Sequence, residues 1–334
     1  MEFFLCVRLI MKMNKKSLMY RLLSAIPLLF GITFLSFMIM HLAPGDPALR
    51  YTHPDISLED LAQIQINLGL DQPLWKQYVF WLKEALQGNL GYSYISQKPV
   101  LDAILERLPA TLLLSSLALI LIVAIALPLG LLSGRKAQSF FDDGVTFFTF
   151  LGMSMPTFWL GLMMILVFSL FWGLLPSSGY MDVHLINAAW WQQCLSILKH
   201  LALPLLTTVL GGLAGLTRYQ RFAVIGILKQ PYMIAARARG LSETRLLYKH
   251  AFKNAALPVI TILGLSLPEL ISGSFIIEYI FAWPGLGQLG VNAVFARDYP
   301  IIMGSILFAS ILMIIGNIIA DAAYTWVDPR MKSQ

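Results

Sequence analysis

The chain has little charge and almost no cysteine. Of its 334 residues, 13% are Asp, Glu, Lys or Arg and 57% are hydrophobic; a soluble domain carries about 25% charged residues. A soluble fold of this length could not hide so many apolar side chains. A bilayer could, because there lipid is the solvent. Length alone allows one or two soluble domains, and hydropathy overrides that prior. The two cysteines, Cys6 and Cys194, are expected on opposite sides of the membrane. That argues against a disulfide, and two lone cysteines give no metal-site spacing, so both read as structural. A phosphate-binding Gly-x-x-x-x-Gly-Lys-Ser/Thr loop is missing, so the chain cannot be its own ATPase. Ser154 and Ser178 lie outside any Gly-x-Ser-x-Gly setting, and no nucleophile–base constellation stands out. No catalytic residue and no cofactor is therefore assigned. His41, His53 and His184 have no ligand spacing, so no metal site is assigned either. Internal repeats and low-complexity segments are absent.

What is present is apolar sequence punctuated by bases. The net charge is +6, but the basic residues sit between hydrophobic runs rather than on one face or tail. That pattern fits cytoplasmic loops of a membrane protein and not a nucleic-acid partner. A span needs about 20 apolar residues. The candidates are Leu22–Leu42, Leu108–Leu132, Val145–Leu175, Leu201–Leu216, Ala255–Phe281 and Ile301–Ala323. Pro156 interrupts the third, yet each half would be too short to span, so six spans are expected. Residues 1–21 carry Arg8, Lys12, Lys15, Lys16 and Arg21, like the start of a signal peptide. The apolar run that follows is too long for a signal core and ends without a small-x-small site, so it reads as a retained helix. Met11, Met13 and Met19 are possible alternative starts.

Lys and Arg in the loops set the expected orientation. Segment 217–254 carries Arg218, Arg221, Lys229, Arg237, Arg239, Arg245, Lys249 and Lys253 against Glu243 alone. It is expected inside, together with 1–21, 134–144 and 324–334, which makes both termini cytoplasmic. Segment 43–107 is then outside and too long for a plain loop. Ala43-Pro44-Gly45-Asp46-Pro47 is a turn signal, and Ser57 with Asp60 resembles a helix start. Leu74–Leu86 places Leu74, Tyr78, Trp81, Leu82 and Ala85 at helical spacing. Its Trp75, Tyr78, Phe80 and Trp81 suit a helix at the membrane interface.

The inside loop carries the mechanism. It reads Tyr232-Met233-Ile234-Ala235-Ala236-Arg237-Ala238-Arg239-Gly240-Leu241-Ser242 and continues to His250-Ala251-Phe252-Lys253-Asn254-Ala255-Ala256-Leu257-Pro258. Small residues offer a helix surface on which another protein can pack closely. Gly240 permits the positive φ of a helix C-cap, and Ser242 is placed to cap a second helix. A short helix–turn–helix along the membrane surface is expected. Within the spans, Pro156 is either a tolerated kink or a break that lines a pathway with Met153, Met155, Phe158 and Trp159 near the opening. Glu269 falls near mid-span, where a carboxylate costs at least about 2.5 kcal/mol, and is a further pathway candidate. Glu278 reads as an interface residue at the outer end, and Asp321 as one that pairs with a base or meets water.

Here the chain resembles the binding-protein-dependent ABC importer permeases, whose inside loop carries a Glu-Ala-Ala…Gly coupling helix. More narrowly it is similar to the dipeptide, oligopeptide and nickel permease group, with its Thr-Ala-Arg-Ala-Lys-Gly-Leu loop followed by His-Ala-x-Arg-Asn-Ala and a Pro. The matching residues are Ala235-Ala236-Arg237-Ala238-Arg239-Gly240-Leu241, His250, Asn254, Ala255 and Pro258. Further likenesses run along nearly the whole chain: Pro44-Gly45-Asp46-Pro47, Leu68-Gly69-Leu70-Asp71-Gln72-Pro73-Leu74, Leu108-Pro109-Ala110-Thr111-Leu112, Ser154-Met155-Pro156-Thr157-Phe158-Trp159, Phe281-Ala282-Trp283-Pro284-Gly285-Leu286-Gly287, Arg297-Asp298-Tyr299-Pro300 and Asp328-Pro329-Arg330. Each alone is weak; their order and spacing are strong. The departures are Ile234 for the signature acid, Lys253 for Arg, and Gln230-Pro231 where an acid is often found.

The resemblance implies an all-α integral membrane protein with about six transmembrane helices, the type I importer permease fold, and a helical extracytoplasmic insertion after the first. The implied organisation is 1–42 as N-terminus and first span, 43–107 as insertion, 108–323 as core with coupling loop 219–254, and 324–334 as tail. It implies ATPase coupling through Ala235, Ala236, Arg237, Gly240 and Leu241. The implied partners are a second related permease, two ATPases that bind the ATP, an extracytoplasmic solute-binding protein and membrane lipid, in a bacterial cytoplasmic membrane. Di- or oligopeptides are the expected solute and nickel or a metal chelate the alternative, since Gly45-Asp46-Pro47-Ala48-Leu49 and Phe281-Ala282-Trp283-Pro284-Gly285 look much like the nickel members. An ion-coupled secondary transporter would need its own ion site and often shows inverted repeats. A membrane-embedded enzyme would need a catalytic cluster. The sequence displays neither.

Overall fold

A computed structural model describes residues 15–42, 71–252, 254–255 and 275–327. The architecture of these residues is helical, apart from turns and one bridge between Tyr92 and Pro99. In chain order the helices are α1 (Lys15–Leu42), α2 (Leu74–Leu86), α3 (Val100–Arg135), α4 (Phe140–Ser154) and α5 (Thr157–Met164), which continues as a wider π-type turn over Ile165–Phe171. After a loop with one 3₁₀ turn come α6 (Trp190–Leu228), α7 (Pro231–Ala238) and α8 (Glu243–Arg245), which runs on as a π-type turn over Leu246–Ala251. The rest are α9 (Phe275–Ile280), α10 (Leu286–Ala296) and α11 (Tyr299–Val327).

Helices α1, α3, α6 and α11 are each long and apolar enough to cross a membrane. Counting the bent α4–α5 pair as one span makes five among the described residues. The remaining expected run, Ala255–Phe281, lies mostly outside them, as do Ser57, Asp60 and Glu269. Two expected spans are corrected in extent. Leu108–Leu132 is the middle of α3, and Leu201–Leu216 is the middle of the 39-residue α6. Hydropathy ended those runs at Glu106 and Arg107, at Lys199 and His200, and at Arg218 and Arg221. Charge near a span's end stops the apolar run without stopping the helix, whose length of about 1.5 Å per residue carries it past the hydrocarbon on both sides.

The third expected run is one apolar sequence but not one rod. Its halves meet at 101°. Met155 is extended (φ −88°, ψ 127°) and Pro156 follows at φ −58°, ψ 135°. Proline pushes the residue before it out of the helical region and supplies no N–H, so α4 ends and α5 starts afresh.

Helices α3 and α6 pack against each other and form the spine. A Cβ at Gly130 would lie 2.6 Å from the Thr217 carbonyl oxygen, and one at Gly134 would lie 2.9 Å from that of Arg221. Glycines four apart let two membrane helices meet backbone to backbone. At one end of this spine, Leu114, Leu201, Leu203, Phe281 and Trp283 share a buried core. At the other, Leu131 and Val224 join a core built by the α7–α8 segment.

The expected interface helix forms over the expected residues, as α2. Its Tyr78 is buried on α1, with ring centroids 5.4–5.8 Å from Phe30, Phe34 and Phe37. Its hydroxyl lies 3.0 Å from Thr33 Oγ1. Trp75 and Phe80 are exposed.

Candidate functional site

The segment from Pro231 to Ala255 forms a helical hairpin at the Leu228 end of α6. Gln230 is extended and Pro231 opens α7, where its missing N–H removes no intrahelical bond. The helix closes through Gly240 at φ +83°. Gly240 N donates to the Arg237 carbonyl (3.0 Å) and Leu241 N to the Ala236 carbonyl (3.3 Å). This is the paired termination that a left-handed residue just past a helix makes possible. Ser242 occupies the N-cap of α8 in extended conformation, but its hydroxyl makes no capping bond.

One face of the hairpin is glued down and the other is bare. Met233, Leu246, Leu247, Ala251 and Ala255 are buried with Leu131 and Val224, and Ala236 and Leu241 pack against them. Tyr232, Ile234, Ala235, Arg237 and Ala238 are exposed. The five expected coupling residues therefore divide. Ala235, Arg237 and Gly240 face outward, whereas Ala236 and Leu241 hold the hairpin together. Asn254 Nδ2 donates to the Tyr232 hydroxyl (3.2 Å) and to the His250 carbonyl (3.0 Å), tying the second helix to the first. Arg237 grips Glu243 with two hydrogen bonds, Nε–Oε1 at 2.6 Å and Nη2–Oε2 at 3.1 Å. The guanidinium beside it holds the Glu243 carboxyl below the usual carboxylate range.

Next to the hairpin, Asp142 at the start of α4 is buried and takes a fork of bonds from Arg221 of α6, both at 2.6 Å. Ser133 of α3 and the Gln138 backbone N–H also donate to it. One carboxylate thus fastens α3, α4 and α6 where they approach the hairpin. Hydropathy passed over it, because Asp142 sits in a short polar gap between apolar runs.

Met153, Met155, Pro156, Phe158 and Trp159 flank the bend between α4 and α5. Met153, Phe158 and Trp159 are exposed in this chain, and Met155 is half-buried. The bend rests on the middle of α6. A Cβ at Gly152 would lie 3.3 Å from the Leu210 carbonyl oxygen, and one at Gly211 3.1 Å from the Thr157 methyl. Arg218 Nη1 lies 3.5 Å from Met153 Sδ.

Glu278 overturns its expected place at the outer interface, since it is 0% exposed. Its Oε1 accepts from Thr111 Oγ1 (2.9 Å) and its Oε2 from Gly287 N (2.6 Å). Thr111 Oγ1 in turn accepts from Leu286 N at 2.8 Å. The carboxylate and the hydroxyl thereby satisfy free N–H groups at the start of α10. Trp283 Nε1 donates to the Ala110 carbonyl close by (2.8 Å). Asp298, just before α11, does the same for the insertion: it accepts from Ser93 Oγ (2.5 Å), Tyr94 N (3.2 Å) and Ile95 N (3.4 Å). Asp298 belongs to the run Arg297-Asp298-Tyr299-Pro300 already noted in the sequence, and Glu278 lies three residues before the run that starts at Phe281. Their partners lie far away along the chain, so spacing could not reveal them.

A bundle of apolar helices with a broken span, and with a hairpin offered at one end, defines an α-helical membrane transport component. Residues 126–333 match the family described as binding-protein-dependent transport system inner membrane component, and residues 14–115 match the N-terminal region model of such membrane components. The chain belongs to that family. It is 44% identical over 313 residues to the oligopeptide transport system permease protein AppB of Bacillus subtilis (strain 168), covering 93% of this chain and 98% of that one. It is 36% identical over 329 residues to the dipeptide transport system permease protein DppB of Escherichia coli (strain K12), covering 93% and 97%. A putative peptide transport system permease protein of Brucella abortus (strain 2308) is 37% identical over 312 residues, with the same coverage as DppB.

Proposed function

We propose that this chain is one permease half of an ATP-driven importer of di- or oligopeptides. In this reading it spans a bacterial cytoplasmic membrane with both termini inside and the 43–107 insertion outside. A second related permease completes the pore. Two ATPase subunits bind and hydrolyse ATP, a solute-binding protein delivers peptide to the outer face, and lipid surrounds the spans. This chain contributes no ATP site and contacts no nucleic acid.

The observation that carries the reading is the hairpin's division into a glued and a bare face. A surface meant only for water gains nothing from exposed Ile234, Ala235 and Ala238 beside Tyr232. A surface meant to fit a groove in another protein does. Because Met233, Leu246 and Leu247 lock the hairpin to Val224 and Leu131, a push on its outer face turns α3 and α6 with it. Uphill import needs two access states and a bias between them. ATP-driven closure of the ATPases supplies that bias, and the bend at Met155–Pro156, between α4 and α5, rests on α6, one of the helices that would move. Peptide as the solute is supported by the relatives' names.

Two measurements test this. Labelled dipeptide uptake, with and without the gene, should depend on it; uptake of radioactive nickel alone would overturn the substrate class. Replacing Gly240 with Val should abolish uptake while the protein still inserts. A side chain at φ +83° is strained even though nothing crowds the site. Unchanged uptake would sink the coupling assignment.

A further inference from the structure

Gln220 of α6 is 0% exposed, and neither polar atom of its amide has a partner or any surface that water can reach. Buried polar groups are ordinarily hydrogen-bonded, and an amide has two bonds to give and two to take. The buried hydroxyls on the same pair of helices are engaged elsewhere. Thr217 Oγ1 donates to the Leu213 carbonyl (2.7 Å), and Ser133 donates to Asp142. A bridging water needs room beside the group it serves, and the packing leaves none at this amide.

The backbone nevertheless makes place for this side chain. A Cβ at Gly130 of α3 would lie 2.6 Å from Gln220 Cβ and 2.9 Å from its Cγ. The glycine that lets the two helices meet therefore also admits the stem of Gln220. The residue sits on the line along which a push would travel. Arg221, next in the chain, ties α6 to α4 through Asp142. One turn on, Val224 joins the core that seats the hairpin.

We infer that Gln220 is a switch element between α3 and α6: its amide is unpaired in this seating of the two helices and gains partners in a second seating, taken up in the other access state. The inference rests on the reading of the chain as an ATP-driven importer. A buried amide without partners raises the free energy of the state that holds it. Packed helix interfaces move between discrete arrangements and do not deform continuously. The spine is then stiff within each seating, and the amide lowers the cost of leaving this one when the hairpin is pushed. Methionine at 220 would fill the same hole with an unbranched chain of similar volume and no amide. A residue that only fills space would respond to that change alike in both access states, whereas a switch element would not.

The test uses the full complex with its ATPases and binding protein. Thermal melting of Gln220→Met is compared with the unmodified complex twice, free of nucleotide and with a non-hydrolysable ATP analogue. The variant should gain about 2–4 °C more in one condition than in the other. Uptake of labelled dipeptide into proteoliposomes should fall about fivefold, the factor that one unmet bond makes in a two-state equilibrium. Gln220→Ala, which also removes the stem and leaves a hole beside Gly130, should melt lower in both conditions. An equal shift of Gln220→Met in the two conditions overturns the assignment, as does a lower melt in both, which would mean an amide bonded in either seating. Unchanged uptake overturns it too. Absence of binding-protein-stimulated ATP hydrolysis in the unmodified complex would instead bring down the importer reading, whereas effects confined to the Met variant bear on Gln220 alone.

Discussion

The two ends of the α3–α6 spine are built on different plans. At the Val100 end, carboxylates are spent on backbone. Glu278 closes the start of α10 with Thr111, and Asp298 closes the loop at Ser93–Ile95 while leading into α11. At the Arg135 end, Asp142 takes a side-chain fork from Arg221, and the hairpin beside it leaves Tyr232, Ile234, Ala235 and Ala238 exposed. At the first end buried acids bind backbone. At the second a buried acid binds side chains beside an open face. On the proposed reading this difference has a reason: a driven end must stay rigid enough to transmit force and bare enough to receive it.

The comparison depends on the spine being stiff, and the largest expected effect comes from breaking it. Gly130→Leu places a side chain against the Thr217 carbonyl, a backbone atom that cannot swing aside. Overpacking of this kind should cost about 3 kcal/mol or more. The expected readout is loss of monodisperse protein after detergent extraction. A well-behaved Gly130→Leu protein with normal melting would mean that α3 and α6 slide freely, and the two ends could not be coupled through them.

The next effects separate the ends themselves. Glu278→Ala orphans the Gly287 N–H and the Thr111 hydroxyl in a fully buried site, which should cost about 2 kcal/mol or more. Asp142→Ala leaves Arg221, the buried Ser133 hydroxyl and the Gln138 N–H without their shared acceptor; the 19% exposure of the Arg221 side chain eases the loss, so about 2–3 kcal/mol is expected. Thermal melting of each purified variant should therefore drop in both, by comparable amounts. A normal melt for Glu278→Ala beside a lowered one for Asp142→Ala would mean that the acid at the Val100 end carries no stability, and would erase the contrast between the two ends.

Much of this plan was legible in the sequence, for identifiable reasons. Hydropathy located every described span because lipid exposure writes itself into each residue. Pro156 announced the break, since proline acts on its own neighbours. Gly240 announced the turn for the same reason. The reading misplaced what depends on partners distant in the chain. Glu278 looked like a surface residue because Thr111 and Gly287 could not be seen beside it. The motif also does not say which face Met233 and Leu246 bury, so the packing of Ala236 and Leu241 against that core could not be read from it. The ends of α3 and α6 were cut short because a hydropathy window cannot tell a charge that ends a helix from one that rides on it.

The smallest expected effect lies on the hairpin end, at Glu243. Its bonds to Arg237 bridge the two arms of the hairpin across Gly240, but both side chains are about half exposed. Exposed pairs contribute little. Because Arg237 holds the Glu243 carboxyl below its ordinary range, the pair is fully formed above that range. Its contribution is lost only as pH falls through the lowered value. Glu243→Gln should therefore change amide exchange at residues 239–246 by no more than about twofold at neutral pH. That small difference should vanish in acid. A large change at pH 7 would mean that the ion pair, and not the Met233–Leu246 core with the Gly240 turn, holds the hairpin in shape. The bare face would then be positioned by a contact that salt can screen, which is a poor way to build a surface that must carry force.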